Sequence, residues 1–292
     1  MMHRFALHNE TICQASEAVL MPGQVGLLSG WGVFSTICVK EGVLFAWERH
    51  WARMQRDATL MHVPFPTDPE FVHSLLLRLV DANAAWTSTL RVAIVRNLGG
   101  MWQGHGITRN YDLIAFTADN KEWGSNVRLG VVPQARHSAC VFAGTKILAW
   151  ATNLVWVEEA HNKGYDEVVL LNERDEVSEC TSANIFIAEG NKAWTPPLHS
   201  GCLPGVTRDV LLSEVHVSGI EIGERDLRLE DLARADEVFI TSTTRGLLPV
   251  KEIEGIQVHQ KGEVRKALAQ AFTSYVSAYV SGKKRPAPVT TP

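Results

Sequence analysis

The sequence lacks the paired cysteines that a disulfide framework or a structural zinc site requires. No two of its five cysteines have C-x-x-C spacing, and their number is odd. They are Cys13, Cys38, Cys140, Cys180 and Cys202. This usage is typical of a reducing compartment, because disulfides persist in oxidising ones. We therefore predict a cytoplasmic protein.

Long apolar runs and an excess of basic charge are also missing. No run reaches the roughly 18 apolar residues of a membrane span, and no basic start precedes a long apolar stretch near the N-terminus. The sequence therefore predicts neither a membrane protein nor a secreted one. The formal net charge is -4 at pH 7, and the basic residues are scattered apart from the KKR run at 283–285, so nucleic-acid binding is not predicted.

Several common catalytic motifs are absent as well. The sequence contains no G-x-G-x-x-G, G-x-x-x-x-G-K-[ST], H-E-x-x-H or G-x-S-x-G. These absences argue against a dinucleotide site, a P-loop, a zinc protease and a hydrolase nucleophile elbow. None of the 11 histidines lies near a cysteine pair at ligand spacing, so no metal site is predicted.

The N-terminal part has the pattern of an α+β domain. A chain of 292 residues, 46% hydrophobic, is long enough for two domains. The pattern predicts a hairpin over 32–47 around Lys40-Glu41-Gly42, a helix over 48–61, a second helix from a capping box at Thr67-Asp68-Pro69-Glu70 through 83, and strands over 87–96 and 111–118. We predict a small α+β domain over residues 1–120 and a polar linker over 121–126.

The C-terminal part is richer in strands. The pattern predicts a strand from residue 126, a three-stranded antiparallel meander over 165–197 with turns at 172–175 and 189–191, a helix from Val206 to Gly219, and a short helix before a strand over 237–241. We predict a larger domain over 127–282 and a disordered tail over 283–292.

Lys146 stands ahead of a mostly apolar, helix-like run over 147–160. One interpretation is a surface lysine that caps the helix and lays its stem on apolar neighbours. The other is a partly desolvated amine that forms a Schiff base with a carbonyl compound. The local sequence does not decide between them.

Four more polar features have an ordinary and a functional interpretation. Glu179 is either a turn residue facing water or a carboxylate inside an apolar strand. The loop 203–207 is either an ordinary threonine-assisted helix start or a helix N-terminus where an anion can bind. The run 241–244 is either an ordinary hydroxyl-rich turn or part of a binding site, and Arg53, on the polar face of a predicted helix, is either a solvated charge or a ligand. Together with a lysine, these groups are the ones needed to hold pyridoxal phosphate.

Six stretches of the chain resemble the class IV (fold type IV) pyridoxal-phosphate aminotransferases, the family of branched-chain and D-amino-acid aminotransferases and aminodeoxychorismate lyases. The stretches are 49–58, 91–100, 144–153, 164–186, 203–209 and 235–250. The resemblance implies an α+β fold with a small N-terminal α/β sandwich domain and a larger, β-barrel-like C-terminal domain with helices that binds the cofactor. It also implies a homodimer.

The resemblance assigns roles to individual residues. It implies that Lys146 forms the Schiff base and carries the α-proton, and that Glu179 keeps the pyridine nitrogen protonated. Leu203 would pack against the ring. The residues implied for the phosphate are Arg53, Gly205, Val206, Thr207 and Thr243. Those considered for the substrate are Trp31, Phe34, Trp102, Thr244 and Arg245.

The chain also departs from its relatives. Many of them have Asn and Tyr where this chain has Ala149 and Trp150, and Gly30-Trp31-Gly32 replaces a G-D-G found in some branches. We predict a transaminase that moves an amino group between an amino acid, branched-chain-like or otherwise apolar, and a 2-oxo acid by a ping-pong cycle. The alternatives are an aminodeoxychorismate lyase and a cofactor-binding homologue with little catalysis.

Overall fold

The computed structural model describes residues 1–100, 104–259 and 261–283. These residues form two compact units. The first unit comprises the described residues within 1–121, 146–150 and 277–292, and the second those within 122–145 and 151–276. The sequence did not predict that Lys146–Trp150 belongs to the first unit. Within the described ranges, no helix is long and apolar enough to span a membrane.

The first unit contains a six-stranded antiparallel sheet with the strand order β2-β1-β6-β5-β3-β4. Its strands are β1 (Met2–His8), β2 (Thr11–Gln14), β3 (Gly32–Lys40), β4 (Val43–Leu44), β5 (Ser88–Arg96) and β6 (Tyr111–Ala118). Its helices are α1 (Val25–Ser29), α2 (Trp47–Leu60) and α3 (Pro69–Ala82). Apolar side chains of α2 and α3 and of the sheet form one core.

The helices and strands that the sequence predicted for this unit are present, with one correction at the start of α3. The hairpin of β3 and β4 turns at Glu41 and Gly42, which have φ angles of 50° and 75°. The N-cap of α3 is Asp68, whose carboxylate accepts from the amides of Glu70 and Phe71, so the capping box on Thr67 is wrong. An aspartate one residue closer to the helix supplies the same acceptor.

The second unit contains a nine-stranded sheet in which the order is β12-β11-β10-β13-β14-β7-β8-β9 and β15 pairs with β14. Its strands are β7 (Val127–Arg136), β8 (Glu167–Asn172), β9 (Val177–Cys180), β10 (Asn184–Glu189), β11 (Lys192–Thr195), β12 (Glu221–Glu224), β13 (Glu237–Ser242), β14 (Gly246–Ile253) and β15 (Ile256–Gln257). The helices after residue 150 are α4 (Ala151–Asn162), α5 (Val206–Ser213), α6 (Leu229–Arg234) and α7 (Glu263–Lys283). The α+β class is confirmed.

Two predictions for this unit are wrong. The segment 165–197 forms four strands and no meander, because the Cys180 amide donates to Ala183 O in a turn that separates β9 from β10, and β10 then pairs with β13. Helix α5 ends at Ser213 and not at Gly219, since the Val215 amide donates back to Val210 O and closes the last turn.

The end of the chain is described only in part. Helix α7, which the sequence pattern did not predict, ends at Lys283, the first residue of the predicted tail. The remainder of that tail and Trp102 lie outside the described residues.

Candidate active site

The backbone of Lys146 is held by strand β3 of the first unit's sheet. It is half-buried and lies five residues before α4, so the interpretation of it as a helix cap is wrong. Its carbonyl oxygen accepts from the Phe34 amide at 3.1 Å, and the Leu148 amide donates to Gly32 O at 3.0 Å. The backbone of the lysine is therefore fixed beside β3.

The side chain of Lys146 lies against an aromatic ring that also contacts a second cation. Its Nζ is 4.7 Å from the ring centroid of Phe34, which is 2% exposed. The Arg91 guanidinium lies 3.9 Å from the same centroid, and burial lowers the pKa of Arg91. Cations favour such positions because the ring face is electron-rich. Sequence reasoning did not single out Arg91, although it lies in a stretch that resembles the family.

Arg53 is buried and not solvated, contrary to its place on the polar face of α2. Its Nη2 donates to Ser35 Oγ at 2.8 Å, and Ser35 Oγ shares a 2.7 Å hydrogen bond with His50 Nδ1. Burial lowers the pKa of Arg53 to about 10, and the charge of Asp57 opposes that lowering. The guanidinium is therefore still cationic at neutral pH and can meet an anion.

His50 is fully buried beside these cations. Burial, followed by the charges of Arg53 and Lys146, lowers the pKa of His50 well below its usual value. The imidazole is therefore neutral at physiological pH. Sequence reasoning did not select this histidine, although it lies in the stretch 49–58 that resembles the family, because its partner Ser35 comes from β3.

Glu179 lies in β9 of the second unit and is 8% exposed, so the alternative of a water-facing turn residue is wrong. Its Oε1 accepts from Arg136 Nε at 3.0 Å, and its Oε2 accepts from the Leu203 amide at 3.0 Å. A buried carboxylate requires such donors, since its desolvation is unfavourable. Arg136 is another residue that sequence reasoning missed, because β7 carries it from far along the chain.

The N-terminus of α5 follows directly from Leu203. Val206 and Thr207 are buried in its first turn, and Gly205 is the N-cap residue. A Cβ on Gly205 would lie 2.0 Å from Asn184 Oδ1, so only glycine fits here. The first amides of a helix lack intrahelical acceptors and carry partial positive charge, which favours an anion such as phosphate.

The turn between β13 and β14 carries the other hydroxyl and cationic residues. Thr243 and Thr244 are half-buried in this turn. Arg245 lies 3.3 Å from Glu167 in a buried ion pair, and its guanidinium lies 3.8 Å from the ring centroid of Trp123. The charge of Arg245 is therefore already balanced within the second unit.

Trp31 and Ala149, two of the positions where the chain departs from its relatives, lie in the first unit. Trp31 Nε1 donates to Met61 O at 2.7 Å, and the Arg96 guanidinium lies 4.0 Å from its ring centroid. A Cβ on Gly30 would lie 2.8 Å from the backbone of Ala149 and 3.0 Å from its Cβ. Because the two backbones approach so closely, Gly30 is paired with a small residue, Ala149.

The predicted residues thus fall into two sets, each assembled within one unit. The first unit brings together Lys146, Arg53 and Phe34; the second brings together Glu179, Leu203 and the start of α5. Within the first unit, an amine and a cationic fork suit an aldehyde and an anion. Within the second, a buried carboxylate and a helix N-terminus suit a protonated ring nitrogen and an anion.

Comparison with known proteins supports the family resemblance seen in the sequence. The family model for amino-transferase class IV matches residues 32–253. A Methanocaldococcus jannaschii protein, provisionally named a branched-chain-amino-acid aminotransferase, is 31% identical over 85% of this chain and 88% of its own length. A D-alanine aminotransferase of Listeria monocytogenes is 28% identical over 92% of this chain and 95% of its own.

A solved structure has the same fold. It is the branched-chain aminotransferase of the thermophilic archaeon Thermoproteus uzoniensis, determined with norvaline. It aligns with a TM-score of 0.84 and 24% identity over 96% of this chain and 98% of its own. The predicted fold type IV architecture is confirmed.

Proposed function

Because this chain belongs to the class IV aminotransferases and is a transaminase, we propose that it uses pyridoxal phosphate to move an amino group between an apolar amino acid and a 2-oxo acid. The observation that carries the proposal is Lys146, whose backbone is fixed to β3 and whose amine lies against Phe34. A half-buried amine in a fixed position suits covalent chemistry with an aldehyde.

The residues present fit the cofactor, and each has a task. When bound, pyridoxal phosphate supplies a ring that accepts the electron pair left at the α-carbon. Lys146 would bond the cofactor's aldehyde carbon at rest and carry the α-proton on Nζ during the reaction. Glu179 would hold a proton at the ring nitrogen, with its orientation set by Arg136 and the Leu203 amide.

The phosphate would be held by charge and by backbone amides. Arg53 offers a planar fork, and the amides of Val206 and Thr207 add the helix N-terminus. Gly205 lets the helix begin at this place, since its missing side chain leaves room for Asn184. We propose Thr243 as a further hydroxyl donor and Leu203 as the contact to the ring face.

Two features support an apolar amino donor. The relatives are named for branched-chain amino acids and for D-alanine, whose side chains are aliphatic. Trp31, which is half-buried, would give the substrate apolar surface, whereas Phe34 is 2% exposed and offers little. The backbone amides of Thr243 and Thr244 would receive the α-carboxylate. We also propose a homodimer, on the family resemblance.

A half-reaction panel tests the proposal. The pyridoxal-phosphate form is mixed with L- and D-valine, leucine and alanine, and the resulting pyridoxamine form is then mixed with 2-oxoglutarate or pyruvate. We expect one amino acid stereoisomer to convert the cofactor and a 2-oxo acid to convert it back. Release of pyruvate from aminodeoxychorismate without a 2-oxo acid would identify the lyase instead, and no conversion in either assay would identify a binding homologue.

A further inference from the structure

A buried carboxylate also contacts the backbone of Lys146. The Lys146 amide donates to Asp57 Oδ2 at 3.0 Å. Since the Phe34 amide also donates to the Lys146 carbonyl oxygen, both peptide groups that flank the lysine Cα are fixed. The position of the Cα in turn limits where Nζ can reach.

Asp57 is an unusual residue to find at this place. It lies in α2 and is 0% exposed, whereas aspartate is almost never fully buried unless it is paired. Its Oδ1 accepts from Arg56 Nε at 2.9 Å, so each carboxylate oxygen has a named donor. The buried Asp57 carboxylate is therefore accompanied by donors that compensate its charge.

The same carboxylate acts on Arg53, which precedes it by four residues on α2. Residues at this spacing share a helix face. The charge of Asp57 raises the pKa of Arg53 against the effect of burial and so favours the cationic form. One side chain thus contacts the backbone of the lysine and stabilises the charge of the arginine.

We propose that Asp57 is a positioning residue that fixes the Lys146 amine relative to Arg53, so that an aldehyde and a phosphate on one molecule meet both groups. This inference rests on the proposed function, because it takes Lys146 and Arg53 as the two groups that hold the cofactor. Asp57 itself acts through the Lys146 backbone.

Three variants separate the hydrogen bond from the charge and from packing. Asp57→Asn keeps an acceptor for the Lys146 amide and removes the charge. Asp57→Ala removes both, and Asp57→Val fills the space without an acceptor in case the alanine variant does not fold. Asp112→Ala is the matched control, since Asp112 is another buried aspartate of the first unit, bound by His8 and Asn9.

The probe is pyridoxal without phosphate, added to the cofactor-free protein with cyanoborohydride. The amine nitrogen bonds to the aldehyde carbon, the carbonyl oxygen leaves as water, and hydride from the reagent reduces the C=N bond to a stable secondary amine. Peptide mass spectrometry then gives the labelling rate of Lys146. Lys192, an exposed lysine that pairs with Glu221, serves as the internal reference.

We expect Asp57→Ala and Asp57→Val to slow the labelling of Lys146 by at least about tenfold, because displacement of a reacting group by about 1 Å has effects of that size. Asp57→Asn should stay within about threefold of the wild type, since it restores the acceptor. The labelling of Lys192 should not change, and Asp112→Ala should leave Lys146 unaffected even where it lowers stability.

Two results would overturn the inference while leaving the proposed function intact. One is wild-type labelling of Lys146 in Asp57→Ala or Asp57→Val, and the other is an equal slowing in Asp112→Ala, which would indicate general loosening. If the wild-type protein shows no preferential labelling of Lys146, the proposed function itself fails, and the role of Asp57 fails with it.

Discussion

Arg136 donates from Nε to Oε1 of Glu179 at 3.0 Å, and the side chains of both residues are largely buried. The Nη2 of Arg136 also donates to Asn153 Oδ1 at 3.3 Å, which anchors the guanidinium on α4. The carboxylate of Glu179 is therefore oriented by a charged donor that is itself fixed. Charge-assisted bonds of this kind are stronger than neutral ones.

Substitution of Arg136 should impair catalysis more than cofactor binding. In Arg136→Gln, Glu179 keeps the Leu203 amide but loses its charged donor. We therefore expect kcat to fall by about tenfold or more, on the loss of roughly 1.5–3 kcal/mol. The control is Arg128→Gln, which breaks a partly exposed pair with Glu252 in the same unit. Steady-state kinetics at saturating cofactor check this, and equal kcat in the two variants would refute it.

The N-terminus of α5 should tolerate no side chain at position 205. In Gly205→Ala, the new Cβ would displace Asn184 or the helix start. We expect the affinity for pyridoxal phosphate to fall by about tenfold and stability by about 1–3 kcal/mol. Gly124→Ala is the control, because its nearest contact is an ordinary 3.6 Å. Cofactor titration and thermal unfolding test this, and an unchanged affinity would argue against a phosphate at α5.

The buried imidazole of His50 should make the protein sensitive to acid. Its pKa is lowered well below the usual value by burial and by the charges of Arg53 and Lys146. Below about pH 6.5 the unfolded chain binds a proton that the folded chain does not, so stability is fully present above that pH and falls as the pH drops. The expected contribution is about 1.4 kcal/mol per pH unit.

His50→Asn removes this contribution and should flatten the dependence of the unfolding free energy on pH below about 6.5. The exposed His161 provides a control, since His161→Asn should leave the slope as it is in the wild type. Urea unfolding at several pH values gives the slopes. A His50→Asn slope equal to that of the wild type would show that His50 does not govern acid stability.

The Arg245–Glu167 pair should contribute mainly to stability. Glu167 is 2% exposed and also accepts from Ser182 Oγ at 2.7 Å. Arg245→Met leaves a buried carboxylate without its cation, which typically lowers stability by about 3–5 kcal/mol. Adding Glu167→Gln should recover part of that loss in urea unfolding. Additive effects of the two substitutions would contradict the coupling and leave Arg245 available for the substrate.

Much of the fold could be predicted because its signals are local. The hairpin at Glu41-Gly42 formed where turn residues separate two β-rich runs. Strand β6 has the bounds that its pattern predicted. The pairing of β10 with β13 could not be predicted, since about 50 residues separate them and each could pair with several strands.

The candidate site divides in the same way. Lys146 and Glu179 lie in stretches that resemble the family, so the sequence alone could nominate them. Their supporting partners Asp57 and Arg136 come from α2 and β7, far away in the chain, and a charged residue in a helix or strand usually faces water. Only the folded structure shows which of these charges is buried and what it holds.

The central claim is that Lys146 bonds the cofactor. The most direct test is the visible spectrum of the protein reconstituted with pyridoxal phosphate, compared with Lys146→Ala, before and after addition of single amino acids. We predict an absorbance band in the wild type that Lys146→Ala lacks, and its loss when the correct L- or D-amino acid is added. Identical spectra for the wild type and the variant would contradict the account.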